Sequence, residues 1–369
     1  MAFSGSGFSI QSTVVRSGNY TAAFTTTTGS PNFLYQFKSS STDSIAYCRF
    51  YFYMTAFPTN VTNIFQIRSV GSIRITSTGT LQLFNASAQV GSDSIVLAKR
   101  TWYMIEIGCD TTACAGSDTL TGRLNGTTFA TSTSQSLAGF SIIDVGINAP
   151  PGSAVTFYFD DIAINDSTGS FQNSYPGEGK IIHLRPNGNG DNSGWLGSDL
   201  DSTDNYLLVD EVTPDDATTD VTTAVSGTID DYEIDATPNL ISADDTINVV
   251  AVGVRFNNSV SAGTDPTFVT RIKSAAAGTV EESANISATD TTWDTNADAV
   301  PRNYALVLYD LPGASTTAWT KSTLDTAQIG IRLTDTPTGL AQISTMWLSV
   351  DYTPIERATG VYFPYQSLR

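Results

Sequence analysis

The stretch at residues 45–54, IAYCRFYFYM, is an almost continuous apolar run that is rich in aromatic residues. Continuous apolar runs of this length are typical of strands that are buried on both faces of a sheet. The stretch therefore predicts a central strand of a β-sandwich.

Similar strand-like segments lie on the C-terminal side of this run, roughly ten residues apart, and none shows a helical period longer than about two turns. They are residues 63–71, 72–86, 101–109, 120–130, 141–148 and 157–166. Asn125 and Gly126 stand in the middle of one segment, and this dipeptide is the strongest short signal for a β-hairpin. Short strands separated by turn residues predict a sandwich or a jelly roll.

The second part of the chain has the same character. Its strand-like segments are residues 206–211, 246–256, 266–273, 303–311, 327–333 and 344–352. We therefore predict an all-β fold of two antiparallel β-sandwich (jelly-roll) domains in tandem. The predicted division is a first domain at 1–170, a structured connector at 171–205, a second sandwich at 206–353 and a C-terminal tail at 354–369.

Charge is divided unevenly between the two parts. Residues 1–170 carry 8 basic and 9 acidic side chains, whereas residues 171–369 carry 10 and 27, and the net charge is −18. This asymmetry supports a boundary near residue 170. It argues against nucleic acid as a partner, because binding phosphates requires a basic surface. Acidity favours solubility, and cation binding or a basic partner are the alternatives.

Neither a signal peptide nor a membrane span is expected. The first ten residues, MAFSGSGFSI, lack a basic region followed by a long apolar run. No segment approaches 18 consecutive apolar residues. We therefore expect a protein that is made in the cytoplasm and leaves it, if at all, by a route such as lysis of a host cell.

The common catalytic motifs are absent from the sequence. It contains no P-loop, no His-Glu-x-x-His and no Gly-x-Ser-x-Gly, and His183 is its single histidine, predicted to face solvent or a neighbouring strand. Cys48 reads as a small buried hydrophobe, while Cys109 and Cys114 could close a small disulfide loop or stay reduced. The carboxylate pattern Glu-x-Asp-x-x-Glu of jelly-roll glucanases is also missing. We therefore predict that the protein is not an enzyme.

Two adjacent aspartates, Asp160 and Asp161, interrupt the apolar run FYFDDIAIND at residues 157–166. The apolar residues before and after the pair are out of phase by one, so we predict a β-bulge that restores the phase and turns a carboxylate toward the sheet rim. The alternative is a rim calcium site with both aspartates as metal ligands. No cofactor besides calcium is expected. The loop 190–204 spaces its aspartates like an EF-hand but lacks the closing glutamate.

Three motifs of the first domain recur together in a known family. They are a tryptophan-led strand (102–107), a Leu-Asn-Gly hairpin (124–127) and a closing Asp-Asp-apolar strand (159–164). Over about residues 5–168 the chain resembles the concanavalin A-like/laminin-G jelly roll. The resemblance implies a sandwich that binds sugars at its loop rim or concave face through aromatic residues, sometimes with calcium.

The second module resembles one that is common in virion proteins of tailed bacteriophages, over about residues 175–353. The matching residues are Trp195, 208–211, 214–216, 219–221, 247–256, Trp293, Pro301, 318–320 and 329–332. The resemblance implies a phage particle as the setting, without implying a chemistry.

Our main functional prediction is a virion surface structural protein, either a head decoration, a head fibre or a tail-associated protein. It would act by assembly with other capsid or tail proteins and as a homo-oligomer. The tail is basic and aromatic, so Tyr362, Phe363 and Tyr365 are the candidate assembly residues.

The alternative prediction is a carbohydrate-binding adhesin for host surface glycans. Its candidate ligand-binding residues are Tyr51, Tyr53 and Trp102, for which a role in the core is the competing interpretation. A secreted bacterial surface protein is a third alternative, weakened by the absence of a signal peptide.

Overall fold

A computed structural model describes residues 8–26, 32–113, 116–147, 151–168, 172–212, 214–216, 218–237, 240–293, 303–309, 311–312 and 317–355. The fold in these residues is nearly all β, in antiparallel sheets, which confirms the predicted fold class.

The first sandwich contains thirteen strands. They are β1 (Phe8–Gln11), β2 (Thr21–Thr26), β3 (Asn32–Asp43), β4 (Ile45–Met54), β5 (Thr62–Ile67), β6 (Gly71–Ile75), β7 (Leu81–Asn85), β8 (Gln89–Val90), β9 (Tyr103–Asp110), β10 (Asp118–Leu124), β11 (Thr127–Gln135), β12 (Phe140–Ile147) and β13 (Val155–Asn165). A seven-stranded sheet has the order β1-β2-β13-β4-β9-β10-β11, and a six-stranded sheet has the order β3-β12-β5-β6-β7-β8. The run predicted as a central strand is β4, near the middle of the larger sheet.

The second sandwich contains the remaining strands and two short helical turns. They are β14 (Lys180–Leu184), β15 (Pro186–Ser193), β16 (Leu196–Gly197), a 3-10 turn (Asn205–Leu208), β17 (Val221–Thr223), β18 (Ile229–Ile234), β19 (Thr246–Asn258), β20 (Thr267–Lys273), β21 (Glu281–Glu282), β22 (Ile286–Ser287), β23 (Tyr304–Leu308), α1 (Lys321–Leu324), β24 (Gln328–Leu333) and β25 (Ala341–Thr353). One sheet runs β16-β17-β25-β19-β23 with β14 beside β25, and the other runs β15-β18-β24-β20-β21 with β22 beside β20.

Each sandwich has its own apolar core. In the first, Phe50 and Phe52 of β4 alternate inward and meet Phe157 and Phe159 of β13, with the rings of Phe52 and Phe157 5.6 Å apart. Burying one such side chain contributes about 1.5–3 kcal/mol. Because side chains alternate along each strand, the residues between these core phenylalanines point to the outer face of the sheet.

The predicted bulge at the two aspartates is present. The pairing of β13 with β4 shifts register between Asp160 and Ala163, and Asp161 has a φ of 47°. Ile162 and Ile164 consequently pack against the core, in phase with the residues that precede the bulge. The bulge turns Asp161 into a buried position beneath the segment that leads to the second sandwich.

Two local predictions differ from the structure. Residues 206–211 are not a strand, because the buried Asn205 donates its side-chain amide to the Trp195 carbonyl at 3.0 Å and to Asp230 at 2.7 Å, and this holds a 3-10 turn. The predicted connector contributes strands β14, β15 and β16 to the second sandwich. Strand β15, PNGNGDNS, has no apolar alternation that could have revealed it.

None of the helices in the described part of the chain has the length and apolar character that a membrane crossing requires.

Candidate functional site

The outer face of the seven-stranded sheet carries the predicted ligand-binding residues. Because Phe52 and Met54 of β4 point into the core, Tyr51 and Tyr53 point outward. The register places Tyr158 of β13 directly opposite Tyr53. This face is therefore built by residues that alternate with the core residues of β13, β4, β9 and β10.

Three half-buried rings meet at one end of this face: Tyr53, Trp102 and Tyr158, which we call the aromatic cluster. The ring centroids of Tyr53 and Trp102 are 5.3 Å apart, and their planes are inclined by 49°. Tyr53 and Tyr158 are also 5.3 Å apart, in an edge-to-face arrangement. The cluster joins two of the three predicted residues. Tyr158 was not predicted, although its position between two core phenylalanines indicates that it faces outward.

Polar groups border the aromatic cluster. The hydroxyls of Thr25 and Thr156 lie 3.1 Å apart at an exposed position, two residues along β13 from Tyr158. On the other side, the backbone N–H of Arg100 donates to the Met54 carbonyl at 2.8 Å, and the Arg100 side chain is exposed. Rings and hydrogen-bonding groups are thus adjacent on a partly exposed part of the sheet.

Tyr51, the third predicted residue, is covered by a loop of the same domain. The Arg16 guanidinium lies 3.2 Å from the centroid of the Tyr51 ring, and only 4% of Tyr51 is exposed. Burial raises the pKa of Tyr51 well above its usual range. Tyr51 consequently supports the Arg16 loop and is not accessible to a ligand.

The carboxylates of Asp160 and Asp161 are both occupied by protein donors. Asp161 accepts hydrogen bonds from the Arg16 guanidinium and the Ser17 hydroxyl, both at 2.5 Å, and from the Ile181 N–H at 2.6 Å. Asp160 accepts from the backbone N–H groups of Arg16 at 3.0 Å and Asp161 at 2.9 Å. A calcium site needs oxygen ligands around the ion, so a set that includes a guanidinium and N–H donors does not fit calcium.

Burial, with the neighbouring charge of Asp161, raises the pKa of Asp160 to about 6. A carboxyl with such a pKa is the type used in acid–base chemistry. In this structure, however, it is held by backbone donors beneath the Arg16 loop. The geometry therefore assigns the pair to holding the loop and the bulge together.

The other predicted sites are distributed as follows. No group of three or more His, Cys, Asp or Glu side chains that could hold a metal exists in the described residues, the loop 190–204 included. Cys48 and Cys109 are buried, and burial raises the pKa of Cys109 to about 12. His183 is exposed on β14, as predicted. Cys114, Tyr362, Phe363 and Tyr365 lie outside the described residues, so the disulfide and assembly predictions are not addressed.

No protein-family model and no curated protein sequence matches the chain. Solved structures that share part of its fold include the endo-β-1,4-glucuronan lyase of the fungus Trichoderma reesei, which is 12% identical with a TM-score of 0.34 over 42% of this chain and 86% of that chain. The cellulose induced protein Cip1 is 18% identical, with a TM-score of 0.36 over 47% of this chain and 89% of that one. The catalytic domain of a glycoside hydrolase family 131 protein from Coprinopsis cinerea is 11% identical, with a TM-score of 0.32 over 47% and 84%.

The comparison with these solved structures contradicts two predictions. The predicted non-enzymatic virion structural protein was wrong, because the solved structures that share part of the fold include a glucuronan lyase and a glycoside hydrolase family 131 catalytic domain, and none of these three is named as a virion protein. The expectation that the protein is not an enzyme is withdrawn on the same finding. The β-sandwich part of the resemblance is confirmed, and the phage part has no support. At these identities and TM-scores the likeness carries no argument about what this chain binds.

Proposed function

We propose that the protein binds carbohydrate, and that the aromatic cluster of Tyr53, Trp102 and Tyr158 is the binding surface. The observation that carries the proposal is the contact of three half-buried rings on the outer face of the sheet, bordered by the hydroxyls of Thr25 and Thr156. The predicted partner class of host surface glycans is kept as part of this proposal.

The chemistry of a sugar explains the match. A pyranose has an apolar C–H face, which packs on an aromatic ring, and a periphery of hydroxyls, which need hydrogen-bonding partners. Tyrosine and tryptophan supply a large apolar body with a polar tip, at a low cost in side-chain entropy. Rings held in place by one another, as Tyr53 is by Trp102 and Tyr158, lose little further freedom on binding.

The test is a glycan array with the full chain, followed by calorimetric titration of the glycans it retains. We expect Tyr53→Ala and Trp102→Ala each to weaken binding about tenfold, which corresponds to about 1.4 kcal/mol. Phe84→Ala is the matched control, because Phe84 is a half-buried aromatic residue on the opposite sheet of the same sandwich, stacked under Arg74. An array without hits, or equal losses in Phe84→Ala and Tyr53→Ala, would overturn the proposal.

The same titrations can reveal a reaction. New reducing ends without unsaturated products after incubation would show a hydrolase, and new reducing ends together with unsaturated uronate products would show a lyase. Either product, lost in Trp102→Ala and kept in Phe84→Ala, would extend the proposal from binding to catalysis on the same face.

A further inference from the structure

The outer face of the seven-stranded sheet does not end at the aromatic cluster. Beyond Tyr51 it continues into a buried strip with Arg49 and Tyr47 on β4, Glu106 on β9 and Arg123 on β10, in cross-strand register. From Tyr53 to Tyr47 the strip runs along β4 for about 20 Å. Its side chains are aromatic, charged and rich in hydrogen-bonding groups, although Arg49 and Glu106 are fully buried.

Residues 173–179, which we call the cover segment, lie over this strip. The N–H of Gly177 donates to the Glu106 carboxylate at 2.9 Å, and the Gly177 carbonyl accepts from Arg49 at 3.2 Å. The ring of Tyr175 lies 5.0 Å from the ring of Tyr47. On its other side, the Arg123 guanidinium is 4.4 Å from the Tyr175 ring centroid.

A glycine in the sheet makes room for the cover segment. A Cβ at Gly108 of β9 would lie 2.3 Å from the hydroxyl oxygen of Tyr175. Any larger residue at this position would therefore displace the ring. The fit of Tyr175 on the sheet depends on the absence of a single methyl group.

Both parts of the molecule hold the end of the cover segment. Arg16, from the loop over Tyr51, donates to the Gly179 carbonyl at 2.7 Å and forms an ion pair with Glu178 at 2.5 Å. From the second sandwich, the Thr353 hydroxyl donates to the Glu178 carbonyl at 2.8 Å, and Asp351 forms an ion pair at 2.6 Å with Arg49, which binds the Gly177 carbonyl. The cover segment is thus pinned where the two sandwiches meet.

The contacts of the cover segment are those that a glycan would make on such a strip. The Tyr175 ring packs against Tyr47. The Gly177 N–H donates to the Glu106 carboxylate, and the Gly177 carbonyl accepts from the Arg49 guanidinium. We propose that residues 173–179, together with the Arg16 loop that covers Tyr51 and is bonded to Glu178 and Gly179, occupy in cis the continuation of the glycan-binding face, and so limit the bound oligosaccharide to the aromatic cluster. This inference rests on the proposed function and specifies how much of the face a ligand can use.

The test measures affinity against oligosaccharide length by calorimetry, with cello-oligosaccharides and oligogalacturonates of two to six units as probes. In the unmodified chain we expect affinity to stop rising at two or three units. Tyr175→Ala removes the ring from the strip and Gly108→Ala displaces it, and each change is combined with Arg16→Ala, which uncovers the Tyr51 ring and releases the contacts with Glu178 and Gly179. In both variants we expect the hexamer to bind about tenfold more tightly than the trimer, while Phe84→Ala keeps the original length dependence.

Hydrogen exchange of the Gly177 amide reports whether the cover segment has lifted. Faster exchange with an unchanged length dependence would overturn the inference and leave the proposed function standing. If the Gly177 amide stays protected from exchange in both variants, that result also counts against the inference, because the inference requires a cover segment that can be displaced. Absence of glycan binding by the unmodified chain and by the variants would overturn the proposed function, and this inference with it.

Discussion

The Arg49 guanidinium of the first sandwich lies 2.6 Å from the Asp351 carboxylate of the second, and the Arg49 side chain is completely buried. The second Asp351 oxygen accepts a hydrogen bond from the Asn248 amide at 2.9 Å. Burial raises the pKa of Asp351, and the Arg49 charge opposes this shift. The pair is enclosed at the junction of the two sandwiches, so removing either member leaves an uncompensated buried group.

We expect Asp351→Ala to lower the free energy of unfolding by about 3–5 kcal/mol, because it leaves the Arg49 guanidinium buried without its counter-charge. The measurement is urea denaturation at constant pH. Arg332→Ala is the control: its partner is Glu282, both side chains are 30% exposed, and such a pair contributes about 1 kcal/mol or less. The double variant Arg49→Met/Asp351→Leu should recover much of the loss. Equal effects of Asp351→Ala and Arg332→Ala would contradict this account.

The titration of Asp160 should be visible in the pH dependence of stability. Its pKa in the folded protein is about 6, against 3.8 for an unperturbed aspartate, so the folded state binds this proton more tightly than the unfolded chain does. The contribution of Asp160 to stability therefore falls as the pH rises from about 4 through the folded pKa of about 6, and is constant above about pH 7.

Asp160→Asn lacks this titration. The difference between the urea midpoints of the two proteins should therefore change across this pH range and stay constant from about pH 7 upward. Midpoints that run parallel from pH 4 to pH 7 would show that Asp160 does not carry the shift.

Gly253 of β19 should tolerate no side chain. A Cβ at this position would overlap the indole of Trp347, the residue opposite Gly253 on β25. We expect Gly253→Ala to cost about 1–3 kcal/mol through overpacking and to change the tryptophan fluorescence of the folded protein. Gly188→Ala on β15 is the matched control, since its Cβ would lie 3.1 Å from the movable carboxylate of Glu233 and in ordinary contact with the rest of that side chain. Indistinguishable thermal midpoints of the two variants would refute the prediction.

Calcium should leave the stability of the first sandwich unchanged. The oxygens of Asp160 and Asp161 already accept hydrogen bonds from Arg16 and its neighbours, so a cation would have to displace them. The measurement is the thermal midpoint with added calcium and again with a chelator. A midpoint that rises with calcium, and no longer does so in Asp161→Asn, would restore the predicted metal site.

Local patterns were sufficient to predict much of the fold. The apolar run at residues 45–54 is strand β4 with the same limits, and Asn125 and Gly126 form the predicted turn with φ of 48° and 76°. These features depend on alternation and turn chemistry between near neighbours. Strand β15 was missed because its composition is that of a loop, and it is held by pairing with β18.

The candidate site was only partly predictable. The outward direction of Tyr53 follows from the alternation of β4, and the same rule, applied to β13, would have found Tyr158. The covering of Tyr51 depends on Arg16, which stands in a separate loop. The contact of Arg49 with Asp351 joins residues 302 positions apart. No periodicity or motif in one sequence reports contacts at such separations.

Arg49 donates hydrogen bonds to the Asp161 carbonyl, the Gly177 carbonyl and the Asp351 carboxylate, which belong to its own sheet, to the cover segment and to the second sandwich. A recombination event that gave the first sandwich a different neighbour would separate Arg49 from Asp351, its charged acceptor. Arg49 would then have to be replaced, or given a new acidic partner, in the same recombination event. The two sandwiches are consequently not interchangeable modules, and the unit that evolution or an engineer can transplant intact is the pair.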